Sequence, residues 1–162
     1  RVVADQIGPV QLAFLGDVVF ELFVRCRYVW PARRQPDLQA RVVANVRAEA
    51  QSDLLAEMVR DFDLTEREQG ILTRGRNAGP SGSGKRRGPR RLDGSAAGVY
   101  QDSTAFEALL GHTYTSDPER CFQLINWVKG RLDERDEALG EPVLSGSVSP
   151  SDLRGLLLPH PG

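Results

Sequence analysis

The chain has 162 residues, of which 40% are hydrophobic and 27% charged, and its net charge is −1. That length suffices for one domain with a real core, the composition excludes a disordered chain, and a balance so near neutral names no partner by itself. No apolar run reaches the roughly 18 residues that span a bilayer, and Cys26 and Cys121 have neither the density of a disulfide scaffold nor the spacing of a metal knuckle, so a soluble protein of a reducing compartment is expected.

Residues 10–28 read as a helix that is apolar nearly all round, the pattern of a central, buried element. Pro31 and Pro36 end that pattern. A second, amphipathic helical stretch runs from Asp37 to about Phe62, with Leu38, Val42, Val46, Leu54, Leu55 and Met58 recurring among charged residues. In "LTEREQ", Thr65 and Glu68 have the spacing of a capping box and predict a short helix ending near Arg76.

The stretch 78–98, "AGPSGSGKRRGPRRLDGSAAG", is too rich in Gly, Pro and Ser for regular structure and predicts a flexible basic loop. Its "GPSGSGK" matches a phosphate-binding loop as far as Lys85. Arg86 then stands where Ser or Thr would hold magnesium, and no strand precedes it, so no nucleotide triphosphate is expected. Helicity returns with "QDSTAFEALLGHTY", and Asp117, Pro118 and Glu119 start a last helix reaching about Glu134. The reading is all-α, with one domain over 1–134 and a turn-rich, poorly ordered tail over 135–162.

Charge is uneven along this frame. Residues 133–162 hold six acids against Arg135 and Arg154, whereas Arg74, Arg76, Lys85, Arg86, Arg87, Arg90 and Arg91 fall in one stretch without an acid.

Three acids sit in apolar helices: Asp17 and Glu21 in "LAFLGDVVFELFV", and Glu107 in "STAFEALLG". Burying an unpaired carboxylate costs several kcal/mol, roughly. Glu21 has Arg25 four residues on, an i,i+4 pair worth about 0.3–0.5 kcal/mol at a surface, so a structural role suits it. Asp17 has no such partner, and Gly16 beside it weakens the helix. A glycine next to an acid there fits close approach to another backbone or to a bound metal. Side-by-side packing of the two helices would let Asp17 and Glu107 converge on a hard cation such as Mg²⁺. Cys26, Cys121, His112 and His160 form no nucleophile and base constellation.

"LAFLGDVVFELFVR" resembles the signature helix of the ribonuclease III family, and "STAFEALLGHTY" resembles its second acidic helix, in the expected order. "LTEREQGILTRGRNA" looks like the segment of the short branch, Mini-ribonuclease III, which has no separate double-stranded-RNA-binding domain; none is expected here either. The resemblance covers about residues 9–133. It implies the all-helical endonuclease-domain fold, a homodimer, and cleavage of both strands of double-stranded RNA with Mg²⁺, for which Mn²⁺ can substitute. Ribosomal RNA precursor is the implied substrate, in a bacterial cytoplasm, or in a plastid stroma if a transit peptide preceded Arg1.

Carried over by position, the resemblance makes Asp17 and Glu107 the catalytic and metal-binding acids; Gly16 and Glu21 keep the structural-support roles read from the residues themselves. Larger enzymes of the family carry further acids where this chain has Ala13 and Thr104, which leaves the number of metal ions open. With no second domain, Arg74, Arg76, Lys85, Arg86, Arg87, Arg90 and Arg91 are the expected phosphate partners, because duplex RNA is gripped mainly through phosphates and 2′-hydroxyls. Asn77 either joins them or caps the helix before it. The alternative function is a dimer of this fold that has lost catalysis and serves as an RNA-binding or ribosome-associated scaffold.

Overall fold

A computed structural model of the chain describes residues 4–78 and 96–143. Among these residues there are a short 3-10 turn at Ala4–Gln6, six α-helices and no strand, as the all-α reading requires. Expectations for 79–95, including the "GPSGSGK" decoy and Lys85, Arg86, Arg87, Arg90 and Arg91, lie outside the described residues, as does the chain beyond 143.

Helix α1 (Pro9–Tyr28) begins with proline at the position where its missing N–H costs nothing. The second expected helix is in fact two, α2 (Gln35–Val46) and α3 (Ala48–Asp61). Arg47 between them is extended (φ −63°, ψ 155°), although neither Gly nor Pro marks the break. The Gln51 side-chain amide donates to the Val46 carbonyl at 2.8 Å, occupying an acceptor at the end of α2.

Helix α4 (Glu66–Asn77) opens with the expected capping box. The Glu68 N–H donates to Thr65 Oγ1 and the Thr65 N–H to Glu68 Oε2. Arg120 then clamps buried Glu68 at 2.7 Å, holding its carboxyl below the usual range despite burial. Helix α5 (Ala96–Ser116) begins inside the expected loop 78–98. Its first turns are built on Ala96 and Ala97, strong helix formers that outweigh Gly98.

Helix α6 (Pro118–Ala138) outruns the expected end at Glu134. The reason is an ionic cluster rather than a local signal: buried Asp136 accepts from Arg27 at 2.8 Å and from the Tyr28 hydroxyl at 2.9 Å, and Glu141 pairs with Arg33 and Arg41. The chain from 135 to 141 is thus tied to α1 and α2.

The core is organised around α5, on which α1, α3, α4 and α6 all pack. Ala105, Phe106, Ala108, Leu109 and Leu110 are fully buried, and the Phe20 ring meets Phe106 edge-on at 5.1 Å. Each large side chain so buried contributes about 1.5–3 kcal/mol. Small residues set the closest approach: a Cβ on Gly16 would stand 1.7 Å from the Glu107 carbonyl oxygen, and one on Gly111 would stand 1.9 Å from that of Leu12. The α1 and α5 backbones therefore touch.

One expectation is corrected. Helix α1 is not buried nearly all round: Leu12, Ala13, Gly16, Phe20, Phe23 and Val24 face the core, but Val10, Phe14, Leu15, Val18 and Leu22 are exposed, Phe14 by 76%. The α5 hub covers one side of α1 only, and an all-round apolar pattern does not say which face packs inside its own chain. No described helix is long and apolar enough to cross a membrane.

Candidate active site

The α1–α5 contact fixes where the acids lie. Asp17 follows Gly16, the residue lying on the Glu107 carbonyl, so the two acidic residues flank one backbone crossing, near enough for the Asp17 charge to act on Glu107. Asp17 is exposed in the single chain and lies beside Glu21 on the outward face of α1, whereas Glu107 is half-buried. No basic residue forms a hydrogen bond or ion pair with either acid among the described residues.

Uncompensated charge shows in both groups. Partial burial raises the Asp17 carboxyl above its ordinary range, and the neighbouring Glu21 charge adds to this. Burial pushes Glu107 up to about 7; a hydrogen bond from Gln51 opposes that rise and the Asp17 charge reinforces it. Two oxygen donors that repel each other and have no protein cation to settle them fit a hard divalent ion, which prefers oxygen ligands. Among the described residues no group of three or more His, Cys, Asp or Glu side chains could hold a metal. An ion held here would draw on two carboxylates of this chain.

Glu21 pairs with Arg25 at 2.6 Å, as the i,i+4 spacing predicts. Ala13 and Thr104 are both buried, and the Thr104 hydroxyl turns back to the Tyr100 carbonyl, so neither adds a ligand.

Sequence reasoning missed Gln51. It is 2% exposed and donates from Nε2 to the Glu107 carboxylate at 3.1 Å as well as to Val46. Its Oε1 is buried with no hydrogen-bond partner among the described residues, an arrangement that costs about 1–3 kcal/mol. The available signal was a polar residue on the apolar stripe of Leu54, Leu55 and Met58.

The basic residues divide. Arg74 is exposed near the end of α4. Arg76 is turned inward: its Nε donates at 2.9 Å to Asp102, a buried acid that also accepts from the Ser52 hydroxyl. That pair knits α4 and α3 to α5, a structural task that the expectation of a phosphate contact did not foresee. Asn77 is the exposed last residue of α4, and Ala78 occupies the cap position.

Comparison with known proteins identifies the family. Residues 10–118 match the family described as Ribonuclease III domain. Among curated relatives, a "Mini-ribonuclease 3" of Synechocystis sp. is 43% identical over 121 residues, covering 75% of this chain and 77% of that protein. Another from Thermosynechococcus vestitus is 36% identical over 150 residues, covering 93% and 89%. A crystallographically solved protein from Fusobacterium nucleatum shares the fold with a TM-score of 0.60 at 30% identity, over 76% of this chain and 93% of that one. The chain thus belongs to the ribonuclease III family, within its Mini-ribonuclease 3 branch, and its enzyme class is endoribonuclease.

Proposed function

We propose that this endoribonuclease cuts double-stranded regions of structured RNA, with ribosomal RNA precursor as its substrate, using Mg²⁺ and acting as a homodimer. The observation that carries the reading is the meeting of Asp17 and Glu107 at the α1–α5 crossing with no protein cation beside them among the described residues.

Asp17 and Glu107 would hold the ion, and phosphate oxygens of the RNA would complete its shell. When bound, the ion makes water more acidic and stabilises charge building on the scissile phosphodiester. Gly16 and Gly111 keep the two acids at fixed spacing by letting the helices touch. Glu21, held by Arg25, stiffens the helix that presents Asp17. Arg74 and the basic run Lys85, Arg86, Arg87, Arg90 and Arg91 supply phosphate contacts.

The exposed stripe Val10, Phe14, Leu15, Val18 and Leu22 supports pairing with a second copy, since an apolar patch rimmed by polar residues marks an interaction surface. Asp17 borders that stripe, so a two-fold pair would set one site to each RNA strand. The test is cleavage of a duplex RNA with and without Mg²⁺: cutting that stops on chelation is expected, and no cutting with any divalent ion would favour the scaffold alternative.

A further inference from the structure

How Glu107 points is set by a third helix. Gln51 of α3 has two neighbours within hydrogen-bond reach, the Val46 carbonyl at 2.8 Å and the Glu107 carboxylate at 3.1 Å, and both are acceptors. The amide orientation is therefore fixed by chemistry: only the nitrogen can face them, and the oxygen is left over, enclosed and unpartnered among the described residues. Packing does not account for this choice. An apolar side chain of similar size would continue the stripe of Leu54, Leu55 and Met58 without an orphaned acceptor. What the amide adds is two donors aimed at two places that matter, the joint between α2 and α3 and one oxygen of Glu107. The second Glu107 oxygen has no hydrogen bond among the described residues.

We propose that Gln51 is a positioning residue for the cleavage reaction: its amide pins one oxygen of Glu107 and leaves the other for the divalent ion shared with Asp17. The inference rests on the reading of Asp17 and Glu107 as the ion-holding pair. It also ties the site to the α2–α3 joint, because the same nitrogen holds the Val46 carbonyl at the break marked by extended Arg47.

The test uses the full chain carrying Gln51→Met, which keeps the volume and removes both donors, and Gln51→Asn, which keeps an amide too short to reach. Mn²⁺ binding is measured by calorimetry without RNA, and kcat and KM are measured on a duplex RNA with Mg²⁺. Loss of a group that orients a metal ligand costs about 10–100-fold in metal affinity or activity. Both variants should therefore bind Mn²⁺ at least about tenfold more weakly and lose a similar factor in kcat, with KM for the duplex within about twofold of the parent. Parent-like Mn²⁺ binding and kcat in folded variants, with only the melting temperature changed, would overturn the proposal and leave Gln51 as a brace of the α2–α3 joint. Should Gln51→Met not fold by circular dichroism, Gln51→Asn decides on the same criteria. Glu107→Gln separates the two levels. If it cleaves and binds Mn²⁺ as the parent does, the ion-holding reading itself fails. If it loses both while the Gln51 variants lose neither, the positioning role alone fails.

Discussion

Gly16 of α1 rests directly on the backbone of Glu107 in α5, so closely that a Cβ at Gly16 would stand 1.7 Å from the Glu107 carbonyl oxygen. The contact is backbone to backbone and cannot be relieved by a rotamer change. It places Asp17, the next residue, at the Glu107 end of the crossing.

Gly16→Ala should therefore separate α1 from α5 and destabilise the fold by about 3 kcal/mol or more. Gly70, within α4, is the control: nothing lies within 4 Å of a Cβ built there, and Gly70→Ala should stabilise by about 0.5–1 kcal/mol through helix propensity. Urea unfolding of the two variants checks both signs. Equal small effects would mean that the helices do not touch.

The raised Glu107 carboxyl predicts how metal-free stability depends on pH. Its folded value of about 7 exceeds the ordinary 4.5, so the fold favours the protonated acid. That contribution is complete below about pH 4.5 and is lost as pH rises through 7. With solvent reaching the half-buried group, it amounts to about 1–2 kcal/mol. In chelator the melting temperature should fall between pH 5 and pH 8 by a few degrees more in the parent than in Glu107→Gln. Identical slopes in the two proteins would remove Glu107 as the cause.

Arg74 and Arg76 lie two residues apart on α4 and should behave differently. Removing Arg76 strands Asp102, whose side chain is 7% exposed, and Arg76→Ala should cost roughly 2–4 kcal/mol of stability. Arg74→Ala should leave stability within about 0.5 kcal/mol and flatten the salt dependence of RNA binding by about one unit of slope. Thermal melts beside salt-dependent RNA binding distinguish the two, and an interchange of the outcomes would refute the assignment.

The outward face of α1 makes a prediction about assembly. Phe14→Glu places a charge in the exposed apolar stripe and should convert a particle of twice the 17.9 kDa chain mass into a monomer. Sedimentation velocity reads the masses directly. A parent that is already monomeric at micromolar concentration would contradict the homodimer.

Much of this frame was legible in the sequence because its signals are local. The Thr65–Glu68 box starts α4, Asp117 caps α6, and apolar spacing marks α1 and α5. The division at Arg47 was not, because no Gly or Pro makes it; the Gln51 amide meets the freed Val46 carbonyl from the next helix. The end of α6 was also hidden, since Arg27 and Tyr28, which hydrogen-bond Asp136, lie more than 100 residues away in sequence. Apolar periodicity could not separate the core face of α1 from its exposed one, as both present the same residue types. Of the site, Gly16 beside Asp17 announced a close approach that the backbone does make. Gln51 carried only its place on the apolar stripe of Leu54, Leu55 and Met58, and Asp102 only its place in an apolar helix; neither names the partner, which lies on another helix.

The central claim is that Asp17 and Glu107 together perform the chemistry, and the direct measurement is single-turnover cleavage of a duplex RNA in Mg²⁺ by the parent, Asp17→Asn and Glu107→Gln. The parent should cut both strands, and each variant should lose about 10²–10³-fold in rate, the size expected for removing one charge-stabilising group, while binding the RNA as the parent does. Parent-like cleavage by either variant would contradict the account.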